Sequence, residues 1–205
     1  MKIGIMGGTF DPVHNGHLML GSAALVQYHL DEVWFMPNGN PPHKKNTSIG
    51  SSIDARCAMT ELAIEDVAEF RLELYEAKQK KVCYTYETLE HFHKTTEGAQ
   101  FYFIVGADSL FMIESWVKPE RIFPLCTLLA ACRDEVSTPE KMQKQIEYLG
   151  EKYNARIEIL RAPLMPVSSH ELRERIKTGT PFSAYVPSKV ADYILLKMTE
   201  ERQRR

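Results

Sequence analysis

The sequence has almost no net charge: 25 lysines and arginines against 27 aspartates and glutamates leave −2 over 205 residues. Nothing in that balance selects nucleic acid or an anionic membrane surface, so a phosphate-bearing partner has to be held by local groups. Long apolar runs are missing too. No stretch approaches the roughly 18 residues a membrane helix needs, and the N-terminal apolar run stops at Thr9 and Asp11, too short for a signal peptide. Cysteine is scarce and scattered: Cys57, Cys83, Cys126 and Cys132 form no C-x-x-C pair. Their spacing argues against a zinc site or a disulfide frame and for buried thiols in a reducing compartment, so a cytoplasmic protein is expected. Low-complexity linkers and internal repeats are absent as well.

What is present is the composition of one ordinary globular domain, 44% hydrophobic and 25% charged, long enough to bury a proper core. Apolar runs of strand length, Lys2–Met6, Val33–Met36, Arg71–Leu74, Phe101–Val105, Thr127–Ala131 and Arg156–Leu160, alternate with helical patterns. The helices are expected at Gly16–His29, Asp54–Val67, Thr85–Lys94, Asp108–Ile113, Thr138–Tyr153, Ser169–Thr178 and Lys189–Met198. Strand followed by helix, repeated, with strands apolar on both faces, predicts an α/β doubly wound parallel sheet of Rossmann-like type in a single domain, 1–205. Ligands of such folds bind at the carboxyl ends of the strands, where strand order reverses.

The segment joining the first strand to the first helix is the most informative stretch. It reads GGTFDPVHNGH over positions 7–17, longer than the roughly two to six residues usual for such a loop. Its glycines, with Gly4, make neither G-x-G-x-x-G nor G-x-x-x-x-G-K-[ST], and no acid ends the second strand, which argues against hydride transfer. Read on its own chemistry, the loop has Gly7 and Gly8 to let backbone approach a ligand and the amides of Thr9 and Phe10 to form an anion-binding concavity. Asn15 is a good helix cap, and a helix starting at Gly16 aims its positive end into the crevice. His14 and His17 flank that start. Two imidazoles, amides and a helix N-terminus together suit a polyphosphate; the alternative is a tight turn with capped or surface histidines.

His14-Asn15-Gly16-His17 resembles the signature of the H-x-G-H nucleotidyltransferases at every position of the motif. The resemblance implies binding of ATP with Mg²⁺ and attack by a second substrate's phosphate on the α-phosphorus, releasing pyrophosphate with no protein nucleophile. It gives His17 the α-phosphate and His14 an assisting place, with Arg173 as a further catalytic cation. The family also carries a serine-serine-threonine stretch followed by arginine at the last helix N-terminus in the crevice. Ser168-Ser169-His170-Glu171-Leu172-Arg173 is similar, with His170 in place of threonine, although Ser168 and Glu171 also read as a capping box. Ser51-Ser52-Ile53-Asp54-Ala55-Arg56 has the same spacing. Spacing does not choose between them; the position after the final strand favours the later one.

Four further segments resemble the bacterial nicotinate-nucleotide adenylyltransferases, and together the likeness covers nearly the whole chain. These are Pro41-Pro42-His43-Lys44, Tyr84-Thr85 with Cys83 where the family has serine, Gly106-Ala107-Asp108-Ser109 with Trp116 beyond it, and Tyr185-Val186-Pro187. The resemblance implies that Asn38, Lys44, Tyr84, Thr85 and Trp116 shape a mononucleotide pocket. It implies that Gly8, Thr9, Phe10, Gly106, Asp108, Arg133, Ser168 and Ser169 hold ATP. Trp34, inside a strand, reads as core. The expected substrates are ATP and nicotinate mononucleotide, with no nucleic acid, no membrane and a homo-oligomer left open. Adenylyl transfer to nicotinamide mononucleotide or phosphopantetheine, or a nucleotide-binding sensor without catalysis, are the alternatives. Members acting on phosphopantetheine are shorter and lack the Tyr84-Thr85 and Trp116 segments.

Overall fold

The computed structural model describes residues 1–39, 50–132, 139–163 and 166–203. Six strands form one parallel sheet: β1 (Lys2–Gly8), β2 (Glu32–Pro37), β3 (Phe70–Leu72), β4 (Gln100–Gly106), β5 (Thr127–Ala131) and β6 (Arg156–Leu160). Their order across the sheet is β3-β2-β1-β4-β5-β6, every neighbour parallel. The chain first winds outward from β1 to β3, then returns to lay β4 on the other side of β1. The reversal point therefore lies between β1 and β4.

Seven helices cover the sheet: α1 (Asn15–Tyr28), α2 (Ile53–Ile64), α3 (Thr85–Thr95), α4 (Ala107–Met112), α5 (Pro139–Tyr153), α6 (Ser169–Thr178) and α7 (Ser188–Gln203). The strands sort their side chains with period two, as a pleated strand must. Ile3, Ile5, Trp34, Met36, Phe101, Phe103, Val105, Leu128 and Ala130 pack with Leu89 and Phe92 of α3, Leu110 of α4 and Leu149 of α5. Met6, Val33, Phe35, Ile104, Leu129 and Ala131 face the opposite way, against Leu20 and Ala24 of α1, Met59 of α2, Leu172 of α6 and Val190 of α7. Both faces of the sheet are thus covered, which is why the strands read as continuous apolar runs rather than alternating ones.

Most element boundaries agree with the sequence reading to within a few residues. The third strand is shorter and earlier than expected, because it is an edge strand paired only with β2 over Val33 to Phe35. Trp34 is core as expected, packed edge-on against Phe92 with its indole N–H donating to Glu32 at 2.7 Å. Among the described residues no helix is long and apolar enough to cross a membrane, and no disulfide joins any of the four cysteines.

Candidate active site

The loop after β1 is shaped by Phe10. Its backbone takes the left-handed region at φ 49°, costly for a bulky residue, and its ring is 2% exposed, tilted against Phe35 and edge-on to His17 with ring centroids 5.0 Å apart. A Cβ added at Gly8 would lie 2.8 Å from that ring, whereas one added at Gly7 would meet only ordinary contacts, 3.7 Å from Met36 and Phe103. The two glycines therefore differ in what replaces them: Gly8 leaves space that the Phe10 ring fills, whereas Gly7 has ordinary room beside Met36 and Phe103, and both line the cavity.

The helix cap also differs from expectation. His14, not Asn15, is the N-cap of α1, with extended backbone, and Asn15 is the first helical residue. The reason is His17: its Nδ1 accepts the backbone N–H of His14 at 3.2 Å, the part glutamate usually plays at the third position of a capped helix. Asn15 instead reaches Ala184, donating to its carbonyl at 3.4 Å. A ring that accepts at Nδ1 carries its proton on Nε2, so the cap fixes Nε2 of His17 as a donor. The two rings lie 3.8 Å apart, His14 buried behind and His17 at the mouth of a cavity.

That cavity, about 390 Å³, opens at the carboxyl ends of β1 and β4, where the strand order reverses. Its lining includes Gly7, Gly8, Thr9 and His17 together with Asn38, Tyr84, Thr85, Gly106, Ser109 and Trp116, and Asn38 is tied to the glycine pair by its backbone N–H, which donates to the Gly8 carbonyl at 2.8 Å. Eight residues expected at the site therefore share one cavity. Trp116 stands edge-on to Phe103, ring centroids 6.3 Å apart and half-buried, rather than being absorbed into the core. Tyr84 caps α3 without a side-chain hydrogen bond, so the start of α3 presents its amides beside Thr85.

Sequence reasoning missed Glu76, also in the cavity wall and 5% exposed. Its two carboxylate oxygens accept from Asn38 Nδ2 and Thr88 Oγ1, both at 2.7 Å, and burial raises its pKa against the pull of those bonds. The bond from Nδ2 to Glu76 fixes the orientation of the Asn38 amide and uses one of its two N–H donors. Cys83, also in the wall, has its thiol pushed up to about 11 by burial, so it stays protonated and is a poor nucleophile.

Other expected residues lie elsewhere. Asp108 is exposed in the first turn of α4, with Ser109 lining the cavity in its stead, and Phe10 contributes no lining side chain. Lys44 and Arg133 lie outside the described residues. Ser168 caps α6 by accepting from Glu171 N–H at 3.2 Å. Ser169 donates to the Pro12 carbonyl at 3.0 Å, and Arg173 donates from Nη1 to the Asp11 carbonyl at 2.8 Å. The later serine-arginine motif is therefore docked on the histidine loop, beside rather than within the cavity. The earlier one is docked there too: Gly50 and Ser51 N–H groups donate to Asp11 Oδ2 at 2.7 and 3.4 Å. The two arginines differ in access. Arg56 is 2% exposed, whereas the Arg173 side chain is 24% exposed and can still reach a ligand.

Fold and site together define a nucleotidyltransferase: the cytidylyltransferase-like family model matches residues 5–175. A protein of Lachnoclostridium phytofermentans named a probable nicotinate-nucleotide adenylyltransferase is 42% identical over 95% of this chain and 96% of its own length. One of the same name from Clostridium botulinum is 40% identical over 98% and 96%. This chain belongs to the nicotinate-nucleotide adenylyltransferase family. The fold is shared with nicotinic acid mononucleotide adenylyltransferase of Plasmodium falciparum, at TM-scores of 0.76 for its complex with APC and 0.77 for its complex with NaAD. Sequence identity there is 20% and 19%, over 96% of this chain and 95% of the other.

Proposed function

We propose that the cavity holds ATP against nicotinate mononucleotide, and that the protein transfers the adenylyl group to give nicotinate adenine dinucleotide and pyrophosphate, a step of NAD biosynthesis. The observation that carries this reading is that the histidine loop, Trp116, Thr85 and Asn38 all line one cavity of about 390 Å³. An oxygen of the mononucleotide phosphate attacks the α-phosphorus, and pyrophosphate leaves as the bond to the β-phosphate breaks. Such a transfer needs little covalent work from a protein, so alignment and neutralisation of developing charge supply the acceleration.

His17 is assigned the α-phosphate, through the Nε2 donor that its capping bond fixes; His14 assists by holding that ring. Thr9 and Phe10 offer amides, Arg173 with Ser168 and Ser169 grips the outer phosphates, and Arg133 joins them. Asn38, Lys44, Tyr84, Thr85 and Trp116 receive the mononucleotide, while Gly106 and Asp108 take the adenosine side. Among the described residues no three His, Cys, Asp or Glu side chains gather to hold a metal ion. Mg²⁺ takes few protein ligands and rides on substrate phosphates, so it is assigned to the ATP as part of the substrate. A cytoplasmic setting suits scattered thiols with no C-x-x-C pair and a near-neutral charge.

The test is pyrophosphate release from ATP with Mg²⁺ offered nicotinate mononucleotide, nicotinamide mononucleotide and phosphopantetheine in turn. Release with nicotinate mononucleotide, at a kcat/KM at least about tenfold above the other two, is expected. A preference for either of the others overturns the substrate, and no release with any favours a nucleotide sensor.

A further inference from the structure

The segment Ser51–Arg56, which competes in sequence with Ser168–Arg173, ends in a cation that no step above uses. Arg56 sits in the first turn of α2 and is 2% exposed. Burying a guanidinium costs several kcal/mol after relaxation, and an apolar side chain of similar volume usually serves stability as well or better. Its bonds explain its presence otherwise. Nη1 donates to the Thr9 carbonyl at 2.7 Å and Nη2 to the Gly39 carbonyl at 3.5 Å. Those carbonyls belong to the two loops that leave the paired strands β1 and β2, and each loop contributes lining residues to the cavity, Thr9 on one and Asn38 on the other. Nε of Arg56 has no hydrogen-bond partner among the described residues, and Asp11 influences the guanidinium through space without an ion pair to it among them.

A trans peptide unit is planar, with its C=O and N–H pointing in opposite directions. Gripping the Thr9 carbonyl from beneath therefore turns the N–H of Phe10 away from Arg56. Among the described residues that N–H donates to no acceptor. Phe10 is the residue whose left-handed backbone is strained and persists only where its surroundings over-determine it. A buried charge thus holds one end of a strained peptide whose other end is a donor.

We propose that Arg56 is a positioning residue for ATP: it locks the Thr9–Phe10 peptide with its N–H presented to the phosphates and ties that loop to the one bearing Asn38. This rests on the reading of the histidine loop as the phosphate site. Both arginines hold carbonyls of the histidine loop, Arg56 that of Thr9 and Arg173 that of Asp11, but Arg56 is buried and can act only through the backbone, whereas Arg173 keeps 24% of its side chain exposed.

The test compares Arg56→Met and Arg56→Lys with the wild type in binding of the α,β-methylene analogue of ATP, read by calorimetry, and in KM for nicotinate mononucleotide. In Arg56→Met with a wild-type far-UV spectrum, the analogue should bind about 10- to 100-fold more weakly, the scale of one lost charged hydrogen bond, with the mononucleotide KM moving less than about threefold. Arg56→Lys, whose ammonium can still donate to Thr9, should recover affinity to within about threefold. Analogue binding within twofold of wild type in folded Arg56→Met, equal losses for both substrates, or no recovery in folded Arg56→Lys would overturn the proposal. Should Arg56→Met not fold, Arg56→Gln, which keeps a donor without charge or reach to both carbonyls, is read against the same outcomes. Analogue binding is measured without turnover, so loss of the adenylyl-transfer reading and loss of this one are told apart.

Discussion

His17 accepts the backbone N–H of His14 at 3.2 Å, and the two imidazoles lie 3.8 Å apart, tilted by 34°. The relationship gives the pair unequal jobs, because only His17 borders the cavity. His17→Ala should lower kcat by about 10²- to 10³-fold, the usual effect of removing one transition-state donor, with a melting temperature within a few degrees of wild type. His14→Ala removes a buried ring and should cost stability as well as rate. Steady-state kinetics beside thermal melts check both, and near-normal turnover in His17→Ala would sink its role.

Trp116 lines the same cavity as His17 and is only half-buried. Stacking of a ring on an aromatic side chain is worth about 1 to 3 kcal/mol. Trp116→Ala should therefore raise KM for the mononucleotide by about 5- to 150-fold while KM for ATP stays within about twofold. A change confined to ATP would place the tryptophan at the wrong substrate.

Gly8 and Gly7 make a controlled pair. Gly8→Ala puts a methyl 2.8 Å from the Phe10 ring and should lower stability by about 1 to 3 kcal/mol, the range for overpacking a filled site. Gly7→Ala meets only ordinary contacts and should melt near wild type while losing activity, since the added methyl enters the cavity. Denaturant midpoints and rates measured on both variants decide this; equal midpoints would contradict the packing.

Glu76 gives the protein a pH signature. Burial raises its carboxyl above the ordinary 4.5, so the native state binds that proton more tightly than the unfolded chain. The stability this contributes is present below about pH 4.5 and is lost as pH rises through the raised value. Glu76→Gln can keep both hydrogen bonds, with Thr88 turning its hydroxyl to accept, and lacks the titration. The stability of wild type relative to Glu76→Gln should therefore fall as pH climbs from about 4.5 toward neutrality. Chemical denaturation of both proteins across that range checks it, and a difference that stays constant or grows in favour of wild type would contradict the assignment.

Much of this was legible in the sequence because the signals were local. Strands apolar on both faces foretold a covered parallel sheet, and a loop too long for its place foretold the site. What escaped notice depends on residues far apart meeting. Glu76 follows a three-residue edge strand with no periodic signal, and its partners Asn38 and Thr88 come from other elements. Asn15 has the right chemistry for a cap, but whether His17 could displace it depended on ring geometry. Nor could spacing tell that Arg56 is buried while Arg173 stays partly exposed, since both follow a serine pair at the start of a helix; only the packing of α2 and α6 on the loop separates them.

The pairing of β1 with β4 sets Lys2 beside Gln100 and Ile5 beside Phe103. During synthesis, β1, β2 and β3 leave the ribosome long before β4 exists, so one edge of β1, with Ile3 and Ile5 at its centre, has to wait unpaired. An uncovered apolar strand edge is a template for association with other chains. The arrangement that places the site at a strand reversal thus also means that the cavity is complete only once the second half of the chain has arrived, since residues of β1 and of β4 both line it.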